Sequence, residues 1–248
     1  MKTVEMSGVY TTTPDLEMPR ANVTIHIAET SHHQYSVQVS CSFLVVAGSL
    51  CNSSLAFVYP ATWHEEPLTF DDDEKFNITL DHEPVEYDFM DWEQAQEAIP
   101  GGTDAFNLGL EDISFARFNE TLTPDCDHII EVQTAFVQTP DADRYWVQYV
   151  FGSARSFSGD THEIIELYVE QQSTPLELNL SPSEGLTVRA TGLQTEAKWD
   201  FLVGESEQDR ISVEFVYSIP QSYYPIEWMV LPAGACLILL YLRTKQSE

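Results

Sequence analysis

Carboxylate clusters are the first residues in this chain whose type and spacing suggest chemistry. The longest is the run of Asp71, Asp72, Asp73 and Glu74, and a smaller one is Asp141–Asp143. Calcium in proteins takes about six to eight oxygen ligands, and acidic loops between strands often supply them. The run lacks the EF-hand pattern, which needs a Gly at its sixth position and a Glu at its twelfth. Asp71–Glu74 are therefore candidate calcium ligands, and a solvated acidic turn is the alternative.

Histidines and nucleophiles give weaker signals. The segment His162–Glu166 begins like a zinc-protease helix, but it lacks the second histidine and its alternation favours a strand. Cys126 and His128 are too close in sequence for a protease dyad. The chain has no Gly-x-Ser-x-Gly nucleophile elbow and no Gly-rich phosphate loop. A transition-metal site is the remaining hypothesis for the histidines of the first predicted hairpin, which are His26, His32 and His33.

Tryptophans supply a third class of candidate, because indole rings stack on sugars. Trp63 and Trp92 lie near predicted turns and are the better candidates for surface platforms. Trp146 and Trp199 lie inside predicted strands, so we expect them in the core.

Asparagines show a pattern of their own. The chain has six, and five begin an Asn-x-Ser/Thr sequon, with Asn107 as the exception. The five are Asn22, Asn52, Asn77, Asn119 and Asn179. A single sequon means little, but five of six predict a translocated and glycosylated ectodomain.

Cysteine use fits an extracellular location only partly. Cys41 and Cys51 flank a predicted strand and turn, and in an oxidising exterior they are expected to close one hairpin with a disulfide. Cys126 is then left unpaired, and Cys236 lies in the apolar segment near the end of the chain. No Cys/His spacing indicates zinc.

Net charge excludes one class of partner. The formal charge is −29, from 40 acidic and 11 basic residues, and both halves of the chain are acidic. Phosphate backbones require clusters of Lys and Arg, and the sequence has none, so no nucleic-acid partner is expected. An acidic surface keeps a protein soluble and attracts cations.

Strand patterns dominate the first 220 residues. Polar and apolar residues alternate clearly at Val23–Ile27 and at Ile211–Tyr217. A short helix is predicted at Trp92–Ile99, and Pro100 stops it. This helix lies within an insertion near 91–102. The predicted strands are Val23–Ala28, Tyr35–Ser40, Ser42–Ala47, Leu55–Tyr59, Phe76–Leu80, Ile113–Phe118, Ile129–Val137, Tyr145–Phe151, Glu163–Glu170, Leu176–Leu180, Leu186–Ala190, Glu196–Leu202 and Ile211–Ser218. This pattern is typical of an all-β sandwich.

A weak internal repeat suggests two domains. At an offset of 110, Thr24, Tyr35, Val37 and Gln38 match identical residues in the second half of the chain. We therefore predict tandem immunoglobulin-like sandwiches at 1–120 and 121–222, the second a divergent copy of the first. The Cys…Trp…Cys framework of true immunoglobulin domains is absent, so the prediction concerns shape and not family.

The end of the chain carries a candidate membrane anchor, at 223–248. Trp228–Leu242 holds no charged side chain, and Arg243 and Lys245 follow it. These apolar residues rise only about 22 Å as a helix, so crossing a core of roughly 30 Å requires the span to begin near Tyr223. The positive-inside rule then places the basic tail in the cytoplasm and 1–222 outside. The start of the sequence shows no apolar leader, so for this topology we expect either a start further upstream or a leader that has been removed. The alternatives are a buried core segment and a tail anchor whose body faces the cytosol.

These observations predict a single-span, acidic cell-surface glycoprotein held by membrane lipid, with a non-enzymatic binding, adhesion or structural role toward a protein or glycan ligand. No cofactor is expected beyond the calcium hypothesis. Two alternatives stay open. One is a membrane-tethered hydrolase of surface glycans or peptides, which needs a concave pocket with convergent side chains. The other is an accessory subunit of a membrane complex that docks through the small residues of the span, Ala233–Ala235.

Overall fold

A computed structural model places most of the residues that it describes in β-strands. It describes residues 2–11, 13, 15–31, 34–58, 61–62, 76–90, 94, 115–138, 144–172 and 177–216. The strands are β1 (Lys2–Ser7), β2 (Val9–Thr11), β3 (Leu16–Ser31), β4 (Gln34–Ala47), β5 (Cys51–Val58), β6 (Ala61–Thr62), β7 (Phe76–Leu80), β8 (Glu83–Pro84), β9 (Asp88–Met90), β10 (Phe115–Leu122), β11 (Asp127–Gln138), β12 (Arg144–Val150), β13 (His162–Glu170), β14 (Glu177–Ser181), β15 (Leu186–Thr191), β16 (Gln194–Leu202) and β17 (Arg210–Val216). A 3-10 helix occupies Gly152–Ser156.

These strands form three sheets. The largest has eight strands in the order β15-β16-β13-β3-β4-β11-β7-β8. A five-stranded sheet has the order β14-β17-β12-β1-β6, and a four-stranded sheet has the order β2-β5-β10-β9. Most neighbours are antiparallel, but β13 pairs with β3 and β1 with β12 in parallel.

The core lies between the large sheet and the two smaller ones, as in a sandwich. Along β4 and β13, every second residue is buried and the residues between them are partly or fully exposed. This alternation is the period of a strand with one face in the core. Tyr35 of the large sheet packs on Phe215 of the five-stranded sheet, with ring centroids 5.3 Å apart. Phe76 likewise packs on Phe57 of the four-stranded sheet, at 5.6 Å. The predicted all-β sandwich architecture is confirmed at this level.

The predicted boundary at residue 120 does not separate two domains. Residues 1–216 form one compact unit, in which the large sheet takes strands from both halves of the chain. The repeat also fails at the level of pairing. Its matched positions put β3 and β4 opposite β11 and β12, yet β3 pairs with β4 while β11 and β12 belong to different sheets. The matched positions therefore do not share one pattern of strand pairing.

The predicted Cys41–Cys51 disulfide is not formed, and both thiols are free. Cys41 lies in the middle of β4, which runs unbroken through the two strands predicted there, and its side chain is buried. Cys51 begins β5 in a different sheet, after β4 has continued to Ala47. At about 3.3 Å per residue, the end of β4 lies about 20 Å from Cys41.

The predicted helix and anchor fall largely outside the described residues. Of the segment 91–102 the structure describes Gln94 alone, which is helical. In the described part of the chain, no helix combines the length and hydropathy that a bilayer crossing needs. The predicted span at 223–248 lies outside that part.

We expect residues 1–120 and 121–216, produced separately, to show no cooperative unfolding, because each fragment removes the partner of a nine-residue parallel pairing between β3 and β13. Circular dichroism during heating measures the cooperativity of unfolding. Residues 1–216 are the control and should unfold cooperatively. Two fragments that each unfold cooperatively would restore the tandem-domain interpretation.

Candidate functional site

The outer face of the large sheet carries a broad polar surface. Strand register aligns side chains across it in rows. One row consists of Lys198, Glu166, Thr24, Ser40, Gln133 and Asn77. The next consists of Glu196, Tyr168, His26, Gln38 and Ala135. These side chains are partly or fully exposed, so the sheet presents a wide surface of small polar groups with charges toward one edge.

A groove of about 210 Å³ lies at that charged edge, on β13, β16 and β15. Its lining consists of Glu166, Tyr168, Thr187, Arg189, Glu196, Ala197 and Lys198. Register places Thr187 beside Lys198 and Arg189 beside Glu196. A two-residue turn joins β15 to β16, and Gly192 there takes a φ of 62°, which glycine adopts without strain.

Tyr168 is the aromatic wall of the groove. The ring of His26 stacks on it from β3, with centroids 4.7 Å apart and planes 14° apart, so the opposite ring face is turned toward β16. The Tyr168 hydroxyl donates to Glu166 Oε2 at 3.2 Å. Desolvation and the negative charges of Glu166 and Glu196 raise the pKa of Tyr168.

The sequon asparagines that can be placed all reach solvent. Asn22, Asn77, Asn119 and Asn179 are exposed, whereas the side chain of Asn52 lies outside the described set. Asn22 and Asn77 lie on the outer face of the large sheet, three strands apart. Exposure is what a glycan on the folded protein requires.

Three of these asparagines lie where a strand lacks a neighbour among the described residues. Asn179 is on β14, the edge of its sheet. On β10, β9 pairs only with Phe115–Arg117 and ends before Asn119. On β7, β8 pairs only with Thr79 and Leu80, so Asn77 lies beyond its reach. Asn119 also lines a cavity of about 480 Å³ formed by residues 84–88 and 117–120.

A His–Asp–Thr arrangement lies at the other end of the large sheet. His128 is buried, and its Nδ1 lies 2.8 Å from Asp81 Oδ2. The Thr123 hydroxyl lies 3.3 Å from Nε2. Although desolvation opposes it, hydrogen bonds from the Ile129 N–H and from His128 lower the pKa of Asp81. These distances resemble those of a hydrolytic triad.

The backbone of Thr123 already occupies His128 Nε2. The Thr123 N–H and the Thr123 carbonyl oxygen each lie 3.2 Å from this nitrogen, closer than the hydroxyl at 3.3 Å. Whether Nε2 accepts from the N–H or donates to the carbonyl, a local backbone group competes with the hydroxyl proton that a general base must take. Asp81 and His82 also form the turn between β7 and β8, with φ of 52° and 70°. The cluster therefore holds this hairpin against β11.

A carboxyl group is sealed between the sheets. Glu163 is 1% exposed, and the Tyr149 hydroxyl of the five-stranded sheet donates to its Oε1 at 2.9 Å. Gly8 covers the pair closely, since a Cβ there would lie 2.5 Å from Ser153 Oγ and 3.0 Å from Tyr149 Oη.

This environment shifts three pKa values upward. Desolvation raises the pKa of Glu163 to about 8, against the opposing hydrogen bond from Tyr149. Desolvation and the charge of Glu163 raise the pKa of Tyr149 and of the buried Cys41 thiol. A sealed group of this kind affects stability and does not contact a ligand.

Ten residues singled out from the sequence lie outside the described part of the chain. They are Asp71, Asp72, Asp73, Glu74, Asp141, Asp143, His32, His33, Trp63 and Trp92. Among the described residues, no group of three or more His, Cys, Asp and Glu is arranged to hold a metal ion. Trp199 is in the core as predicted, and its Nε1 donates to Pro182 O at 2.9 Å. Trp146 is half-buried.

Two features escaped the sequence interpretation. The strand predicted at His162–Glu166 is confirmed, and its alternation already puts Glu163 on the same face as Ile165 and Leu167. The burial of the Glu163 carboxylate could therefore be predicted from its position in the alternating pattern of the strand. The groove was not, because it depends on the order β15-β16-β13, which no local pattern specifies.

Comparisons with known proteins show the fold. No protein-family model and no curated protein matches the sequence. A solved structure from Legionella pneumophila, of a protein whose proposed role is nutrient binding, has a TM-score of 0.62 and 16% identity. The match covers 86% of this chain and 71% of that protein. At this identity the likeness shows the fold alone.

Larger solved structures match with a lower TM-score. An M1 zinc metallopeptidase from Deinococcus radiodurans has a TM-score of 0.37 and 8% identity. The match covers 82% of this chain but 42% of that protein, so this chain spans less than half of its length. A TM-score of this size does not establish a common fold.

Glu163 predicts a specific dependence of stability on pH. Its folded pKa of about 8 lies above the ordinary value of 4.5, so its favourable contribution is complete below about pH 4.5 and is lost as pH rises through 8. We expect Glu163→Gln to flatten the fall in unfolding free energy across this window, by at most ~1.4 kcal/mol per pH unit. Urea unfolding at several pH values measures it.

The matched control is Glu166→Gln, on the outer face of the same strand. It should keep the wild-type slope. Equal slopes for Glu163→Gln and wild type would show that Glu163 ionises normally in the folded protein.

Proposed function

We propose that this protein is a membrane-anchored surface glycoprotein with a non-enzymatic binding role. In this proposal, residues 1–216 form the ectodomain, a helix within 223–242 crosses the membrane, and Arg243 and Lys245 face the cytoplasm. The observation that carries it is the exposure of every sequon asparagine whose side chain is described. Five of the six asparagines of the chain begin sequons, and none of these four is buried.

The location of the sequons gives the proposed glycans a physical role. Open strand edges promote pairing between molecules, and natural proteins block them. Asn77, Asn119 and Asn179 lie on strand segments without a described neighbour on one side. A hydrophilic glycan at each position would obstruct the approach of a second strand. The net charge of −29 adds repulsion between molecules.

A binding role agrees with the polar clusters better than catalysis does. His128 Nε2 already contacts the backbone N–H and carbonyl oxygen of Thr123, and Glu163 is sealed between the sheets. The outer face of the large sheet, in contrast, offers exposed polar rows and a groove. The Legionella protein that shares this fold has a proposed role of the same general class, nutrient binding.

Glycan attachment tests the proposal site by site. We expect the mass of the full-length protein from its native host to exceed the mass of the chain and to fall on deglycosylation. Asn22→Gln, Asn77→Gln, Asn119→Gln and Asn179→Gln should each lower the mass of the intact protein by the mass of one glycan. Intact-mass spectrometry measures this.

Asn107→Gln is the matched control, since Asn107 lies outside a sequon, and it should leave the glycan mass unchanged. A protein with the unmodified chain mass in every variant would remove the main support for an ectodomain.

A further inference from the structure

Two cations in the groove are unusual for this molecule. The chain has 11 basic residues against 40 acidic ones, yet Arg189 and Lys198 lie diagonally on adjacent strands. Two other arginines are engaged: Arg155 donates to two backbone carbonyls, and Arg210 to Asp209. Within the part of the chain that the structure describes, Arg189 and Lys198 have no hydrogen-bond or ion-pair partner. Free cations beside each other are suited to an anionic group.

Two carboxylates share the groove with them. Register puts Glu196 beside Arg189 and Glu166 beside Lys198, but neither pair closes into an ion pair. Glu166 accepts the Tyr168 hydroxyl, whereas Glu196 has no described hydrogen-bond partner. Charges of both signs therefore face the same space of about 210 Å³ without neutralising one another directly.

The rest of the lining is suited to a small organic body. Ala197 is buried beneath the groove, and the Tyr168 ring forms a wall fixed by stacking on His26. An aromatic face attracts both apolar groups and cations such as an ammonium. Thr187 adds one hydroxyl beside Lys198.

We propose that this groove binds a small zwitterion of the amino-acid type. Its carboxylate contacts Arg189 and Lys198, its ammonium group lies toward Glu196 and Glu166, and its carbon chain packs on Tyr168. This inference rests on the proposed binding role and names its ligand class, and it is independent of anchoring and glycosylation.

Calorimetric titration of the full-length protein in detergent tests it, with each of the standard amino acids as a probe at up to ~10 mM. At least one should bind. Its analogues without the amine or without the carboxylate should bind about tenfold more weakly; for leucine these are 4-methylpentanoate and 3-methylbutylamine. Arg189→Gln, Lys198→Gln and Glu196→Gln should each weaken binding about tenfold, because each removes one charge-assisted contact.

Arg20→Gln is the matched control, an exposed arginine two strands from β16 on the same face, and it should bind like wild type. The three groove variants change exposed side chains and should keep the wild-type melting temperature. Absence of binding for every amino acid would overturn the proposal. Equal affinity for an amino acid and its deaminated analogue would overturn it too, because the groove would then recognise an anion alone. Neither result would affect the glycan masses, so the two proposals fail separately.

Discussion

The parallel pairing of β3 with β13 is the contact on which the rest of the molecule depends. It joins Arg20–Ala28 to His162–Glu170, segments more than 130 residues apart, and a second parallel pairing joins β1 to β12. Closing such loops costs conformational entropy, which the burial of both inner faces must offset. Once β13 lies beside β3, Tyr168 meets His26 on the outer face, and Glu163 faces Tyr149 on the inner one. Without this pairing, Tyr168 would lose the stacked ring of His26 that fixes the wall of the groove.

The two faces of β13 separate two effects of charge. Inside, a carboxyl without access to water links stability to pH. Outside, exposed charges are free to meet a ligand, and the remaining outer face carries small polar side chains. Asn22 and Asn77 flank β4 and β11, whereas the groove lies toward the β15 edge. The proposed glycans and the proposed ligand thus use different parts of one surface.

Local patterns predicted local structure well and long-range order poorly. Each of the thirteen predicted strand segments overlaps a strand within its described residues, because alternation reports which face is buried. The strands β1, β2, β6, β8 and β9 were missed. All of these except β1 have only two or three residues, which is too few to show an alternation. The division at residue 120 was wrong because strand pairing between distant segments leaves no local signature, so matched residues suggested a repeat that the sheets do not share. The groove could not be predicted for the same reason, because it depends on which distant strands pair. The inward position of Glu163, in contrast, follows from the alternation in the sequence.

Thiol labelling in intact cells is the most direct test of the central claim, that residues 1–216 stand outside the membrane. Cys126 is exposed, whereas Cys41 is buried, and burial raises the pKa of its thiol. A membrane-impermeant maleimide added to cells with the full-length protein should label Cys126 without permeabilisation, and Cys126→Ser should lose that label. Labelling of Cys126 only after permeabilisation would place the folded unit in the cytosol and contradict the account.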